Sequence, residues 1–378
     1  MTTLPPATVP DRPVRVAVAG LGWAGREIWL PRLATHPDFA VTAVVDPEPG
    51  VRDRARDTHR VPAAYADVDE LPAGAADLVV VAVPNHLHAA VAARLLRRGV
   101  PVFLEKPVCL TSAEATLLAE AERDGGAVLL AGSAARYRAD VRALAEAAGE
   151  LGPIRHVDVA WVRARGVPDA GGWFTRRDLS GGGALVDLGW HLLDTVLPLL
   201  GPTRITHAIG SVSDDFVNDG AAHAAWRGDA AAGRRRVPGD VEDTARGFLL
   251  TAAGSSVALH ACWASHESLD RTTITVHGAA GSATLRCTFG FSPNREPTPM
   301  LTRTRDGETV RLPLREEAIG AEYDRQLDAL PGLLADPAGR GAAVAEARRT
   351  IDVIERIYHA ARPTEPERQH ALAGRHDR

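Results

Sequence analysis

Short apolar runs alternate with helical patterns over the first third of the chain. The runs are nearly continuous in valine, leucine and alanine, which is typical of parallel strands buried on both faces. They cover residues 14–19, 39–45, 76–83, 100–104 and 127–131. Helical patterns separate the later runs, at 89–98 and 112–123. This alternation predicts an α/β domain with a parallel sheet over residues 14–133.

After residue 133 the pattern changes. A helix is predicted at 138–148, and residues 154–163 alternate apolar and polar side chains as a half-exposed strand does. Further strand patterns follow, with turns or loops between them, at 204–212, 246–252, 256–263, 272–277 and 282–289. They predict an α+β C-terminal domain over residues 134–362, with a mainly antiparallel open sheet.

The remaining segments are late helices, loops and tails. Helices are predicted at 316–334 and 342–361, and we expect them to dock back on the first domain. Residues 213–240 contain several glycines and three consecutive arginines without periodicity, which predicts a long loop. Residues 1–13 and 363–378 are expected to be flexible tails.

A glycine-rich loop opens a polar helix in the middle of the chain. Gly181 to Gly183 allow close backbone approach, and a helical apolar pattern follows them. Asp187, His191 and Asp194 are spaced i, i+4, i+7, so a regular helix would place them on one stripe. A carboxylate one turn from an imidazole is a candidate general-base pair. The alternative is a capped amphipathic helix whose polar residues are only structural.

A second glycine loop follows the first predicted strand directly. Gly20, Gly22 and Gly25 have the G-x-G-x-x-G spacing, with a strand before them and a helix after them, as in dinucleotide-binding Rossmann domains. Asp46 ends the second strand, where such domains place an acid on the ribose diol. Its charge would repel a 2′-phosphate, so NAD is favoured over NADP. Otherwise Asp46 is only a turn residue before Pro47.

Polar residues also follow two later strands, at the edge of the sheet where ligands bind. The loop 84–88 contains Asn85 and His88, which could contact the cofactor. Glu105 and Lys106 follow the strand at 100–104, and Lys106 is the only lysine of the chain. Its position makes it a candidate catalytic cation, although most lysines are surface residues.

Composition narrows the choice of partner and compartment. The net charge of −5 gives no reason to expect nucleic acid or a membrane as a partner. The three cysteines are far apart and not in metal-ligand spacing, so neither a disulfide framework nor a metal site is predicted. We expect a cytoplasmic protein.

This ordered set of motifs resembles the Gfo/Idh/MocA oxidoreductase family over residues 14–362. The motifs are GLGWAG at 20–25, Asp46, PNHLH at 84–88, EKP at 105–107, GGGALVDLGWHLLD at 181–194 and HGAAGSATL at 277–285. The resemblance implies catalysis by Lys106, Asp187 and His191. It implies cofactor contacts from Gly20, Gly22, Trp23, Ala24, Asp46, Pro84, Asn85, His88, Glu105 and Lys106. It also implies a homodimer or homotetramer formed through the C-terminal sheet.

The activity that the resemblance implies is oxidation of a secondary hydroxyl to a ketone with NAD. The substrate would be a sugar, aminosugar or aminoglycoside, because the chain also resembles dehydrogenases of actinobacterial aminoglycoside pathways, and the setting would be antibiotic biosynthesis. Residues expected at the substrate are Arg136, Arg163, Trp173 and Asp194, with Trp161 and Asp243 also near the pocket. For Asp194, both a contact with the substrate and a purely structural role remain open.

Four alternatives remain open at the level of the sequence. One is a ketoreductase acting on a nucleotide-linked keto sugar, because the same residues serve both directions. Another is an inositol or cyclitol dehydrogenase. The third is a non-catalytic cofactor-sensing protein, which the intact set of Lys106, Asp187 and His191 disfavours. The fourth is a hydrolase that uses NAD transiently on sugars, which product analysis would distinguish.

Overall fold

The computed structural model describes residues 12–168, 172–224 and 238–361, which form two sheets with helices packed against them. Most of both predicted tails lies outside the described residues. So does the middle of the predicted long loop, including its run of three arginines.

The first sheet is parallel and has six strands. Its strands are β1 Val14–Ala19, β2 Phe39–Val45, β3 Ala63–Tyr65, β4 Leu78–Val81, β5 Val102–Leu104 and β6 Leu129–Ala131. The order is β3-β2-β1-β4-β5-β6, so the direction of winding reverses between β1 and β4. A crevice at that point is where open α/β sheets bind ligands. The sheet confirms the predicted Rossmann architecture.

The second sheet has eight strands. These are β7 Ile154–Val162, β8 Ile205–Ser213, β9 Thr244–Thr251, β10 Ser256–Cys262, β11 Arg271–Gly278, β12 Gly281–Cys287, β13 Met300–Arg305 and β14 Glu308–Leu312. Their order is β14-β13-β12-β11-β7-β10-β9-β8, and every neighbouring pair is antiparallel except β7 and β10. The predicted α+β class with a mainly antiparallel sheet is therefore confirmed.

Nine helices complete the described part of the chain. They are α1 (a π-helical segment Ala24–Trp29 that continues as Leu30–Thr35), α2 Pro49–His59, α3 His88–Arg97, α4 Ser112–Gly125, α5 Ala139–Gly149, α6 Arg177–Ser180, α7 (a π-helical segment Leu185–Gly189 that continues as Trp190–Val196), α8 Ala321–Ala335 and α9 Ala342–Ala360. Short 3₁₀ turns link several of them.

One face of the second sheet is covered by helices, and the other is open. Helices α5, α7 and α9 pack against the covered face. The open face carries exposed apolar side chains, including Ile209, Phe248 and Leu250. The segment Arg177–Leu200 is long and apolar enough to cross a membrane, but 78% of its most apolar window is buried inside this protein. It is the central element of the second domain's core.

The two late helices lie against the first domain. Leu327 and Leu330 of α8 are buried in the same apolar cluster as β1, β4 and β5 of the parallel sheet. The side-chain amide of Gln326 donates to the carbonyl of Ala131 at the end of β6, at 2.9 Å. Helix α9 reaches α4, where the Ser112 backbone N–H donates to Glu355 at 3.1 Å.

The beginning of α7 is fixed by a buried glutamate. One carboxylate oxygen of Glu242 accepts hydrogen bonds from the backbone N–H groups of Gly183 and Leu185, both at 3.0 Å. The hydroxyl of Tyr358 donates to the same oxygen at 2.7 Å. A Cβ atom on Gly183 would lie 1.7 Å from the Glu242 carbonyl oxygen, so only glycine fits there. Glu242 therefore supplies the acceptor that this helix start lacks within its own backbone.

We expect Glu242→Ala to lower the free energy of unfolding by about 2–4 kcal/mol, because two buried N–H groups would lose their acceptor. Glu242→Gln keeps an amide oxygen in place and should lose less. Denaturant unfolding followed by circular dichroism measures both variants, with the exposed Glu267 changed to alanine as the control. Equal stability of Glu242→Ala and Glu267→Ala would contradict this role.

Candidate active site

The glycine loop between β1 and α1 leaves space for a ligand at one position only. Gly20 has a φ of +90°, and a Cβ on it would lie 2.5 Å from the carbonyl oxygen of Ala82. A Cβ on Gly25 would lie 1.9 Å from the carbonyl oxygen of Gly20. A Cβ on Gly22 would meet nothing within 4 Å. Protein packing thus requires two of the glycines, whereas the third borders open space at a helix start, as a pyrophosphate site does.

Asp46 lies at the carboxyl end of β2, beside this loop. One of its carboxylate oxygens accepts the backbone N–H of Leu21 at 2.8 Å, and the other accepts that of Glu48 at 3.0 Å. The acid is therefore held against the glycine loop. This position suits a contact with the ribose of a dinucleotide.

Two further predicted cofactor residues border the same loop. Trp23 is partly exposed, and its ring meets the edge of Phe291 at a centroid distance of 5.5 Å. Ala24 begins the π-helical segment of α1. Trp23 thus joins the glycine loop to a loop of the second domain.

The loop after β4 connects the domains. Pro84 lies in this loop, and the buried side-chain amide of Asn85 donates to the carbonyl of Ser180 at 3.0 Å. The ring nitrogens of His88 lie 2.8 Å from the carbonyl oxygen of Val83 and 2.7 Å from that of Pro107. Burial lowers the pKa of His88 to about 4. His88 thus braces two loops against each other, and its predicted contact with the cofactor stays a prediction.

Glu105 supports the backbone of the neighbouring lysine. Its carboxylate accepts the indole N–H of Trp29 at 2.6 Å and the backbone N–H of Lys106 at 2.8 Å. Burial raises the pKa of Glu105. The bond between Lys106 and Pro107 is a cis peptide. The carboxylate is occupied by the protein on both oxygens, so a direct contact with the cofactor also stays a prediction.

Lys106 and Asp187 form a mostly buried ion pair between the two domains. The lysine Nζ lies 2.6 Å from Oδ1 of Asp187, and the indole N–H of Trp263 donates to Oδ2 at 2.9 Å. Burial alone would raise the pKa of the Asp187 carboxyl, but the charges of Lys106 and Arg163 hold it well below its usual range. The carboxylate is therefore ionised, and each of its oxygens has a donor.

His191 follows Asp187 one turn later on α7 and is partly exposed. Its ring lies 5.7 Å from that of Trp161, measured between centroids. In the described part of the chain its ring nitrogens make no hydrogen bond. Burial and the charge of Lys106 lower its pKa to about 3, against the opposing effect of Asp187. His191 is thus a neutral imidazole with a lone pair free for a ligand proton.

Asp194 lies away from this group. Arg136 donates to its carboxylate at 2.6 Å and to its backbone carbonyl at 2.8 Å, and also pairs with Glu346 of α9 at 2.5 Å. Both Arg136 and Asp194 are thus engaged with the protein, which favours the structural alternative for Asp194.

The π-helical start of α7 explains why Asp194 leaves the predicted stripe. An α-helix advances about 100° per residue, which would bring position i+7 almost back over position i. A π turn advances only roughly 80° per residue. Asp187 and His191 then remain neighbours, while Asp194 rotates about a quarter turn away. The sequence pattern gave no sign of the π turn.

The other predicted substrate residues lie at the end of β7 and in the 3₁₀ turn Trp173–Thr175 before α6. The Arg163 guanidinium packs over the ring of Trp161, 4.8 Å from its centroid, and its charge acts on both Asp187 and His191. Trp173 packs against Phe174 at 4.7 Å. Arg163 is therefore beside the ion pair, whereas a substrate contact of Trp173 stays a prediction.

Trp263 and Glu242 were not predicted at the site. Trp263 is the last residue of the apolar strand pattern at 256–263, and an aromatic residue at a strand end is the only local sign. The carboxylate of Asp243 does not contact the Lys106–Asp187 ion pair. It accepts the backbone N–H groups of Phe216 and Val217 instead. These contacts join residues far apart in sequence.

Two glycine substitutions separate packing from ligand binding. Gly25→Ala should destabilise the protein by about 3 kcal/mol, because its methyl group would overlap a carbonyl oxygen. Gly22→Ala should leave the melting temperature unchanged but weaken NADH binding about tenfold, because the methyl group fills the space that the pyrophosphate approaches. Thermal melting and NADH fluorescence titration measure the two effects. Unchanged NADH affinity in Gly22→Ala would place the pyrophosphate elsewhere.

Comparison with known proteins places the chain in a family. Residues 14–133 match the profile "Oxidoreductase family, NAD-binding Rossmann fold", and residues 139–284 match "GFO/IDH/MocA C-terminal domain". A protein of Amycolatopsis mediterranei, named "Putative UDP-kanosamine synthase oxidoreductase subunit", is 59% identical over 92% of this chain and 96% of its own length.

Solved structures share the fold. GenD2 from gentamicin A biosynthesis, in complex with NAD, has a TM-score of 0.72 at 24% identity, covering 95% of this chain and 97% of its own. KijD10, a 3-ketoreductase from Actinomadura kijaniata in complex with NADP and TDP-benzene, has a TM-score of 0.72 at 19% identity, covering 93% and 98%. From the two profiles and the relative in Amycolatopsis mediterranei, this chain belongs to the Gfo/Idh/MocA family of NAD(P)-dependent oxidoreductases.

Proposed function

We propose that this enzyme uses NAD to oxidise one secondary hydroxyl of a UDP-linked hexose to a ketone, which a transamination then converts to an amine. The observation that carries the chemistry is the Lys106–Asp187 ion pair at 2.6 Å beside the neutral imidazole of His191. The observation that supports the substrate class is the extent of the similarity to a relative named for UDP-kanosamine synthesis.

The proposed roles follow from the charge of each group. His191 accepts the hydroxyl proton on its free ring nitrogen, because it is neutral before the substrate binds. The Lys106 ammonium donates a hydrogen bond to the same substrate oxygen and stabilises the negative charge that develops there. Asp187 holds that ammonium in place. A dinucleotide held by its pyrophosphate at the glycine loop would supply the nicotinamide that accepts the hydride.

The cofactor proposed is NAD. Asp46 places a carboxylate beside the glycine loop, and a 2′-phosphate at that point would meet a like charge. Gly20 and Gly22 would hold the pyrophosphate, with Trp23, Ala24, Pro84, Asn85, His88, Glu105 and Lys106 around the dinucleotide. NADP is disfavoured on the same ground.

The proposed substrate is consistent with the chemistry of an aminosugar. An amine replaces a ring hydroxyl most simply through a ketone, so an oxidoreductase must act before the amine donor. Arg163 lies beside the catalytic pair and carries a positive charge that suits an anionic nucleotide sugar. A role in antibiotic biosynthesis belongs to this proposal.

The second candidate function is reduction of a keto sugar by a ketoreductase. A relative from Streptomyces antibioticus, named "dTDP-3,4-didehydro-2,6-dideoxy-alpha-D-glucose 3-reductase", is 28% identical over 94% of this chain. The same three residues would then run in reverse, with His191 returning the proton. The higher identity to the UDP-kanosamine relative favours a UDP-linked substrate, and the formation of an amine through a ketone favours oxidation.

We further propose a cytoplasmic homo-oligomer joined through the open sheet. That face exposes Ile209, Phe248 and Leu250, which water-exposed sheets seldom carry together. Cys109, Cys262 and Cys287 are buried free thiols, which suits a reducing compartment.

The substrate assignment is tested with purified enzyme and a panel of sugars. With NAD and UDP-glucose we expect NADH to form, and hydroxylamine should trap the ketone as an oxime whose oxidised carbon NMR locates. Free glucose, myo-inositol and an aminoglycoside serve as comparisons, and NADP replaces NAD in a parallel series. Oxidation of inositol alone would support the cyclitol alternative. Reduction of a keto sugar without any oxidation would support the ketoreductase.

The catalytic roles are tested on the substrate that the panel identifies. Lys106→Ala and His191→Ala should each lower kcat by about 10²–10⁴, because each removes a group that acts on the reacting oxygen. NADH affinity should fall far less than kcat, since neither side chain belongs to the glycine loop that would hold the pyrophosphate. Stopped-flow turnover and NADH titration measure the two quantities. Turnover near that of the unchanged enzyme in either variant would remove that residue from the mechanism.

A further inference from the structure

Trp263 is a fully buried side chain that reaches the ion pair from the second sheet. It follows β10 directly, and its backbone N–H donates to the carbonyl of Asp243 at 2.8 Å. Its ring packs against Phe174 at a centroid distance of 6.2 Å. The indole is therefore fixed by the sheet rather than by the helix that carries Asp187.

Asp187 is consequently held from two sides. Lys106 of the first domain takes Oδ1 at 2.6 Å, and Trp263 of the second sheet takes Oδ2 at 2.9 Å. A carboxylate with one donor can rotate and offer its free oxygen to another group. With both oxygens occupied, it cannot turn toward His191, which stays without a hydrogen bond in the described part of the chain.

We propose that Trp263 is a positioning residue of this enzyme, whose indole N–H fixes the Asp187 carboxylate so that it serves Lys106 and leaves His191 free. The proposal deepens the function proposed above and rests on it for its effect on turnover. The contact itself is independent of which substrate the enzyme oxidises.

The physical basis is the cost of an unsatisfied charge in a buried place. Without the indole N–H, Oδ2 of Asp187 would lose a charge-assisted hydrogen bond in a site that water enters poorly. The carboxylate could then turn to another donor, and the imidazole of His191, one turn later on the same helix, interacts with its charge. Engaging His191 would withdraw the proton acceptor from the substrate.

The contact is tested first without any substrate. Tryptophan indoles labelled with ¹⁵N give separate NMR signals, and Trp263→Phe identifies the one from Trp263. We expect that proton to lie downfield and to exchange slowly with water, because it donates to a buried anion. In Asp187→Ala it should move upfield and exchange faster, while the other indole signals stay near their original positions. An unmoved Trp263 signal would overturn the proposal.

The functional effect is tested by a double-mutant cycle. Trp263→Phe should lower kcat about tenfold and change KM less than twofold, because orientation and not substrate binding is lost. In an Asp187→Ala background the same change should alter kcat less than twofold, because the carboxylate that Trp263 positions is gone. Equal factors in both backgrounds would reduce Trp263 to a packing residue and overturn the proposal.

Two controls separate this outcome from other failures. Trp190→Phe removes another buried indole and should leave the Trp263 signal in place. If Trp263→Phe does not fold, the Asp187→Ala spectrum decides alone, because one indole signal must still move and lose its protection. If no sugar in the panel is oxidised, the proposed substrate fails, whereas the NMR result still decides whether Trp263 holds Asp187.

Discussion

The structure depends on a mostly buried ion pair that joins its two domains. Lys106 comes from the end of β5 in the parallel sheet, and Asp187 comes from α7, which covers the second sheet. Burying both charges is costly, and their attraction offsets that cost only where the geometry is close and further hydrogen bonds are made. The Nζ–Oδ1 distance of 2.6 Å provides the close geometry, and the indole N–H of Trp263 provides a further hydrogen bond. The cleft between the domains is therefore constrained at the point where chemistry is proposed.

Two tryptophans flank the lysine in the same way. Trp29 donates to Glu105, which in turn accepts the Lys106 backbone N–H, while Trp263 donates to Asp187. One tryptophan belongs to each domain, so the lysine backbone is fixed from one side and its ammonium from the other. His191 is the exception, because it is partly exposed and keeps its ring nitrogens free within the described residues. A fixed ammonium on Lys106 and an accessible imidazole on His191 suit a site that must stabilise an oxyanion and accept a proton.

Sequence patterns predicted the elements whose structure depends on neighbouring residues along the chain. β1 and β2 were predicted over the residues that form them, because a continuous apolar run and a glycine turn suffice to define them. The short strand β3 and the hairpin β13–β14 were missed, because their side chains are nearly all half-exposed or exposed and carry no strong period. Trp263 and Glu242 were missed at the site for another reason. Their partners lie 76 and 57–59 residues away, a relation that no periodicity records.

The fate of Asp194 shows how one irregular turn can divide a motif. A spacing of i, i+4, i+7 describes one face only while the helix keeps its α-helical advance. The π segment Leu185–Gly189 winds more slowly, so Asp187 and His191 keep facing the cleft and Asp194 faces Arg136. A strictly α-helical start would have brought a second carboxylate toward the ion pair, where its charge would compete for the single lysine. Because the π turn winds more slowly, only Asp187 lies beside Lys106. Asp194 instead pairs with Arg136, which also binds Glu346 and so connects α7 to α9.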